Sequence, residues 1–253
     1  NKIGTTGKGV GPVYADRTER VGLLVKDLLS KELLEKIEEE VKIQNKFYDL
    51  KLNAQEIFKE YQRYQNKVKK FIGKSTPILF QALQKRKNIL FEGAQGYFLD
   101  IDAGTYPFVT SSNTGVVGIA RSFDIHPSEI NEVIGITKAY TTRVGEGPMP
   151  TKMDGEVSQK IIDAGKEVGT TTGRVRSPGW LDLVLIKEAA RSNKLTGLAI
   201  TKLDVLTKIT KLKLCVSYKL NGKSTDYIGH DAELISKVKP VYEELDGWVQ
   251  DIS

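Results

Sequence analysis

Apolar residues recur along this chain with two different periods, and the change between them divides it. From about Pro12 to Arg86 the pattern is helical. Ser30 is placed to cap a helix carrying Leu34, Ile37 and Val41 on one face. Asn53, with Glu56 three residues on, makes a start like a capping box. Ile57, Tyr61, Tyr64, Val68 and Phe71 follow at alternating spacings of four and three. They form one amphipathic stripe, whose tyrosines are expected in the core or half-buried. Gly73 ends that helix, and Thr76-Pro77 opens another with proline in its first turn.

Beyond residue 87 strands alternate with helices. Asn88–Glu92 reads as a short buried strand ending in Gly93-Ala94-Gln95-Gly96, and Val133–Thr142 reads as another. Helical periodicity returns over Val157–Glu167 and again over Trp180–Arg191. Leu198–Leu203 is an apolar strand running into Asp204. Lys211–Leu220 and Ser224–Ile228 form an antiparallel hairpin around Asn221-Gly222, a dipeptide suited to two left-handed turn residues. Tyr242 and Trp248 are expected to pack. Strands that end in polar, glycine-bearing loops predict an α/β protein with its ligand loops along one sheet edge.

Composition changes this picture little. At 253 residues, 40% hydrophobic and 28% charged, the chain is an ordinary globular protein of one large or two small domains. No apolar run approaches the roughly 20 residues of a membrane span, and no signal peptide is visible. Cys215 is the only cysteine, so no internal disulfide forms and a cytoplasmic location is expected. The net charge of +6 raises the question of nucleic acid. However, the lysines of residues 31–87 are scattered among glutamates, which reads as a solvated helical surface, and small anionic ligands explain a modest surplus equally well. The chain opens on Asn1 directly before a glycine-rich loop, which reads as a fragment with sequence missing upstream.

The candidate chemistry is concentrated in loops. Gly169–Trp180 packs four hydroxyls, three glycines and the pair Arg174/Arg176 into twelve residues. Hydroxyls and backbone N–H groups wrap anionic oxygens, and guanidinium forks fit carboxylate or phosphate. The alternative is a flexible solvent loop. The arginines alternate around Val175 and so can serve different ligands. Residues 3–12 form a second glycine-rich loop, with Thr5, Thr6 and Lys8 suited to a phosphate. It is not a Walker A sequence, because Gly9 follows the lysine. Gly73-Lys74-Ser75 and Gly222-Lys223-Ser224 fail the same test, with Val68 and Ser217 where a first glycine is required.

Gln95 offers a neutral amide for a purine carbonyl. Asp100 and Asp102 are read as turn or cap residues in preference to metal ligands, and His126 and His230 as surface residues. The string Thr201-Lys202-Leu203-Asp204 has two readings of equal weight. Asp204 accepts from the N1–H and N2 amine of guanine while the Lys202 stem lies along the base, or the string is a strand followed by a capping aspartate. Together these pieces point to a nucleotide enzyme joining two anionic substrates.

Six ordered stretches carry a resemblance. They are Ile-Gly-Thr-Thr-Gly-Lys-Gly-Val-Gly-Pro at 3–12, Phe-Glu-Gly-Ala-Gln-Gly at 91–96 and Gly-Thr-Tyr-Pro-Phe-Val-Thr-Ser-Ser-Asn-Thr at 104–114. The others are Lys-Ala-Tyr-Thr-Thr-Arg-Val-Gly-Glu-Gly-Pro at 138–148, Gly-Thr-Thr-Thr-Gly-Arg-Val-Arg at 169–176 and Thr-Lys-Leu-Asp at 201–204. The chain resembles the adenylosuccinate synthetases, GTP-dependent ligases that join IMP and L-aspartate.

The resemblance implies a P-loop-NTPase-like, mostly parallel sheet flanked by helices, with a helical segment near 20–87 and the antiparallel hairpin near 211–228. It implies one such domain over 1–253, lacking N- and C-terminal parts of the family. It further implies that Thr6, Thr110, Val144 and Arg174 bind IMP, that Gln95 orients the base in a catalytic role, and that Arg20 reaches the IMP of a partner in a homodimer. Thr170, Thr171, Thr172, Gly173, Arg174, Val175 and Arg176 form the aspartate loop. Arg176, Lys202, Leu203 and Asp204 bind GTP. Nucleic acid and membrane are not implied partners.

The family's Gly-Asp-Glu-Gly-Lys-Gly loop, with its catalytic base and Mg²⁺ ligand, and its catalytic histidine are not in these 253 residues. Lys8 also stands where many relatives carry arginine, and Val175 and Ser177 fall in a stretch that is usually richer in arginine. The chain alone is therefore expected to hold no Mg²⁺ firmly and to show no ligase turnover. The alternative from another class is a non-catalytic purine-nucleotide-binding or scaffolding protein.

Overall fold

The computed structural model of the chain describes residues 4–169 and 173–252. It divides into two compact units, Gly9–Leu90, and Asn1–Lys8 with Phe91–Ser253.

The Gly9–Leu90 unit is helical: α1 Val10–Glu19, α2 Leu33–Tyr48, α3 Ala54–Val68 and α4 Thr76–Gln84. Leu33, Ile37 and Val41 stack on one face of α2 and are buried against Ile57 and Phe58 of α3. The Asn53 side chain accepts from the N–H groups of Gln55 and Glu56, the capping predicted from the sequence. Ser30 sits farther out than expected. Its hydroxyl accepts from the Glu32 N–H at 3.1 Å, and α2 starts only at Leu33. The tyrosine stripe departs from expectation as well, because Tyr61 and Tyr64 are 40% and 46% exposed. The first turn of α3 carries the residues that meet α2. Farther along, the two tyrosines pack edge-on against each other at 6.4 Å.

The other unit contains α5 Val116–Phe123, β1 Ile134–Lys138, β2 Thr141–Arg143, α6 Gly155–Gly165, β3 Ser177–Gly179, β4 Leu181–Asp182 and α7 Leu183–Asn193. It continues with β5 Gly197–Thr201, β6 Lys211–Leu220, β7 Lys223–Thr225, α8 Ala232–Lys237 and β8 Lys239–Asp246. β1 and β5 pair in parallel, Ile134 opposite Gly197 and Lys138 opposite Thr201. β2 and β3 pair antiparallel. β6 is the centre of a four-stranded sheet, parallel to β4 and antiparallel to β7 and β8. This is the α/β architecture expected, with parallel pairing, helices and antiparallel strands.

β6 buries Leu212, Cys215 and Tyr218, spaced by three where a flat strand repeats every two. The register shift between Cys215 and Ser217 puts Tyr218 on the same side as Cys215, whereas Leu212, three residues before Cys215 in regular register, faces a different core. Asn221 and Gly222 both take left-handed φ, 50° and 81°, as the predicted hairpin turn requires. Tyr140, Met153, Ile161, Leu206 and Leu212 form one core with Trp180 and Trp248 at its margin. Val184, Cys215, Tyr218 and Val238 form a second, flanked by Tyr242.

Residues 88–92 form no strand, and Leu90 is 92% exposed. An apolar run becomes a strand only when another strand lies beside it, and none of the described residues pairs with this one. Conversely β8, whose Lys-Pro start and three acidic residues hide its period, is paired along its length with β6.

Candidate functional site at the ends of the parallel strands

β1 and β5 end at the same edge, where the Ala139 N–H donates to the Thr201 carbonyl at 2.8 Å. Lys138 and Tyr140 follow from one strand, Lys202 and Asp204 from the other. Such a carboxyl-end edge is where open α/β sheets hold ligands. Lys202 has a left-handed φ of 62°, uncommon for a residue with a side chain. Its ammonium lies 3.5 Å from the Gly165 carbonyl, at the C-terminus of α6, where the helix dipole favours a cation.

Asp204 opens a short 3-10 turn, Asp204–Leu206, but its side chain caps nothing. Among the described residues its carboxylate makes no hydrogen bond or ion pair, and it is exposed. Of the two readings of this string, the capping aspartate is therefore not what the structure contains.

α6 delivers the residue that sequence reasoning missed. Lys166 turns left-handed after Gly165, and Glu167 N–H closes back on the Ile162 carbonyl at 3.0 Å. The Glu167 side chain is completely buried. It accepts from Lys138 Nζ at 2.7 Å, the Tyr140 hydroxyl at 2.6 Å and Arg176 Nη1 at 2.9 Å. A Cβ on Gly165 would stand 2.6 Å from the Tyr140 hydroxyl, so glycine there leaves room for that contact. Burial pushes the Glu167 carboxyl up, but its three donors outweigh burial and hold it below the usual carboxylate range. Burial pulls the Lys138 ammonium down, only partly opposed by Glu167. Burial and Glu167 raise Tyr140, which stays protonated. Arg176 and Lys202 both act electrostatically on Lys138, and Asp204 on Tyr140, so three of the four residues predicted to bind GTP lie near the pair that donates to this carboxylate.

Arg176 stands at the foot of the predicted anion loop. Its N–H donates to the Glu167 carbonyl at 2.9 Å, Val168 bridges Val175, and Gly169 N–H donates to the Arg174 carbonyl at 2.8 Å. Gly173 has a left-handed φ of 65°, and Val175 is 59% exposed. Thr170, Thr171 and Thr172 lie outside the described residues. The two arginines have different partners. Arg174 Nη2 donates to the Gly4 carbonyl at 2.6 Å, bringing the foot of this loop to the first glycine-rich loop. A Cβ on Gly4 would sit 2.9 Å from Arg174 Nη1 and 3.3 Å from the Gly145 Cα, so Gly4 is wedged between the Arg174 side chain and the segment after Val144. Thr6 and Leu203 are exposed, and Val144 is half-buried.

An arginine for which the sequence implies no role joins the remaining pieces. Arg143, whose guanidinium pKa is lowered by burial, donates to the Glu146 carbonyl, to the Thr105 hydroxyl at 3.3 Å and to the Phe108 carbonyl at 3.2 Å. Gly147, at a φ of 120°, has no Cβ to strike it. Arg143 thus ties the 104–110 loop, which contains Thr110, to the 144–147 turn. The Thr110 N–H donates to the Leu99 carbonyl at 2.8 Å, and the Thr114 hydroxyl to the Gly96 carbonyl at 2.9 Å, one residue beyond Gln95. Gln95 is exposed at a left-handed φ of 64°.

Asp100 is the anchor of that region. One carboxylate oxygen accepts from the N–H groups of Asp102 and Ala103 at 2.9 and 3.0 Å, the other from Thr114 N–H at 2.5 Å. Burial pushes its carboxyl up, and these backbone donors more than reverse the effect. This is the turn chemistry expected of it. Asp100→Asn places an amide against backbone donors and is expected to lower unfolding free energy by about 2 kcal/mol in urea titration. A change within error would show that the anchor is dispensable.

Arg20 belongs to the helical unit, where it ends α1 with a left-handed φ of 70°. His126 is exposed and paired with Ser128, and His230 is exposed. A cleft of about 930 Å³ lined by Tyr106, Phe108, Pro148, His230 and Glu233 contains none of the predicted site residues. Among the described residues no group of three or more His, Cys, Asp or Glu is placed to hold a metal ion, and no helix is long and apolar enough to cross a membrane.

A family profile described as adenylosuccinate synthetase matches residues 1–253. An adenylosuccinate synthetase from Acetivibrio thermocellus is 47% identical over 259 residues, covering 100% of this chain and 61% of the relative. One from Synechocystis is 47% identical, covering 98% of this chain and 57% of the relative. The solved structure of a fully ligated adenylosuccinate synthetase from Plasmodium falciparum superposes with a TM-score of 0.95 at 33% identity, over 99% of this chain and 60% of that one. The chain thus spans about three-fifths of the length of the relatives it matches.

Proposed function

This chain belongs to the adenylosuccinate synthetase family, and on that premise we propose that it forms part of a GTP-dependent ligase joining IMP and L-aspartate. The reading rests on the family match along the whole chain. In this reaction the γ-phosphoryl group of GTP passes to the 6-oxygen of IMP, releasing GDP. The aspartate amine then attacks C6, the C–N bond forms as the C–O bond breaks, phosphate leaves with the oxygen, and the proton of IMP N1 and those shed by the amine pass to solvent.

Thr6, Thr110, Val144 and Arg174 take the IMP side, and Gln95 orients the base through its amide. The linkage of Gly4, Arg174 and the 144–147 turn supports that grouping. Thr170 to Arg176 hold the aspartate carboxylates, where a guanidinium fork gives bidentate recognition. Arg176, Lys202, Leu203 and Asp204 serve GTP, and the unpaired Asp204 carboxylate supports the guanine assignment. Arg20 reaches the IMP of the second subunit in a homodimer, and a cytoplasmic setting suits the single buried thiol.

Family membership implies Mg²⁺ for the phosphoryl step. Among the described residues no group of three or more His, Cys, Asp or Glu is placed to hold a metal ion, and none is assigned to Mg²⁺. We expect these 253 residues alone, which do not contain the Gly-Asp-Glu-Gly-Lys-Gly loop, to bind substrates without turnover. Calorimetric titration with IMP, GTP and aspartate, singly and together, tests the reading. Binding of IMP and GTP, with aspartate binding strengthened by both, is the expected result. Silence toward all three would overturn the site assignments, and GTP-dependent adenylosuccinate formation by the purified chain would overturn the expectation of no turnover.

A further inference from the structure

We infer that Glu167 is a positioning residue that holds Arg176 in the orientation required by the aspartate loop, an inference that rests on the reading above. Its carboxylate accepts from both sides. Lys138 and Tyr140, carried on the β1–β2 segment, share Oε1 at 2.7 and 2.6 Å, and Arg176 Nη1 takes Oε2 at 2.9 Å. The Glu167 carbonyl also accepts the Arg176 N–H at 2.9 Å, so both ends of Arg176 are tied to one residue. Gly169 N–H to the Arg174 carbonyl and Gly173 N–H to the Gly169 carbonyl close the loop above this foot.

The geometry leaves ligand-binding capacity in place. A guanidinium has five N–H donors, and the Arg176 side chain uses only Nη1 among the described residues. The Arg176 side chain is 32% exposed and Lys138 26%, whereas Glu167 is fully covered. One buried negative charge faces two partly open positive charges, and the surplus favours an incoming carboxylate or phosphate. Held at one nitrogen, Arg176 loses little side-chain freedom when an anion binds its other edge, and such preorganisation strengthens binding.

The test compares the wild-type chain with Glu167→Gln, Tyr140→Phe and Arg176→Ala. An amide in place of the carboxylate must turn its NH₂ toward either Arg176 or the Lys138–Tyr140 pair. Glu167→Gln is expected to weaken aspartate binding, measured with IMP and GTP present, by about 10- to 100-fold, the range found when supporting partners of metal ligands are removed. IMP binding alone should stay near wild type, while the melting temperature falls somewhat because one buried donor faces the amide NH₂. Tyr140→Phe keeps the charge and the Arg176 contact and should lose less. NMR of the arginine side-chain N–H groups should show the Arg176 resonances slowed in the wild type and in Tyr140→Phe, and averaged in Glu167→Gln.

Equal aspartate affinity in wild type and Glu167→Gln, with Arg176→Ala impaired, would overturn the positioning role and leave the ligase reading standing. Parallel loss of IMP binding and thermal stability would reduce Glu167 to a structural residue, and overturn the inference too. Silence of the wild-type chain toward all ligands would overturn the ligase reading and this inference with it.

Discussion

Asp204→Asn is expected to weaken GTP binding by about 100-fold or more and to turn preference toward xanthosine triphosphate. A carboxylate accepts from both the N1–H and the N2 amine of guanine, and adenine presents no such donor pair. Asparagine keeps one acceptor and replaces the other by an NH₂, which faces the guanine amine donor to donor. Sites built to hydrogen-bond a substrate group reject analogues that leave their polar atoms unpaired by large factors. Xanthine carries a carbonyl where guanine carries the amine, so the new amide matches it. Asp204 stands at the C-terminal edge of the parallel β1–β5 pair with no partner among the described residues, so the substitution breaks no contact within the fold. Competition of the two triphosphates on wild-type and variant chains reads the outcome. An unchanged preference would remove Asp204 from the guanine site.

Local signals carried much of the fold because their causes are local. The Asn53 cap needs only the two N–H groups after it, and the hairpin at Asn221-Gly222 needs only two left-handed residues. The α2 stripe works because a helix brings Ile37 and Val41 to one face whatever lies opposite. Long-range pairing was not legible in the same way. The apolar run at 88–92 has the composition of a strand without a strand beside it, while β8 has a proline and three acids and is held by β6. The bulge after Cys215 moves the buried side partway along β6, which no strict alternation can anticipate.

The candidate site divides along the same line. Arg174, Arg176, Lys202 and Asp204 announce themselves by residue type within short glycine- or threonine-rich strings. Glu167 does not, for it is one acid at the end of an ordinary amphipathic helix. Only the left-handed Lys166 and the approach of Lys138 and Tyr140 from residues almost thirty positions earlier make it the hub. Arg143 lies inside a recognisable motif, but its partners Thr105 and Phe108 are 38 and 35 residues away. Both are residues that hold other residues, and that role is written in contacts that only the folded chain makes.

Asp182→Ala is expected to cost about 3–5 kcal/mol of stability. Asp182 is 2% exposed, accepts from the Tyr218 hydroxyl, and caps α7 by accepting from Leu185 N–H at 3.3 Å. Alanine leaves a buried hydroxyl unsatisfied, removes a cap and opens a void, each worth on the order of 1–3 kcal/mol. Burial pushes the Asp182 carboxyl up, and the Tyr218 hydroxyl pulls it only part of the way back. Burial raises Tyr218 and pushes the neighbouring Cys215 thiol up to about 12, so neither ionises near neutrality.

A carboxyl whose folded pKa lies above its unfolded value of 3.8 favours the native state below that value and loses the contribution as pH rises through the folded pKa. Tyr218→Phe removes a donor to the ionised form and raises the folded pKa further. Its penalty should therefore be small near pH 4 and grow toward pH 8. Asp182→Asn keeps an acceptor for Tyr218 without a charge, so its stability should be flatter with pH than the wild type's. Urea unfolding of the three proteins at both pH values decides the matter. A Tyr218→Phe penalty that does not change between them would mean that Asp182 does not carry the pH dependence assigned to it.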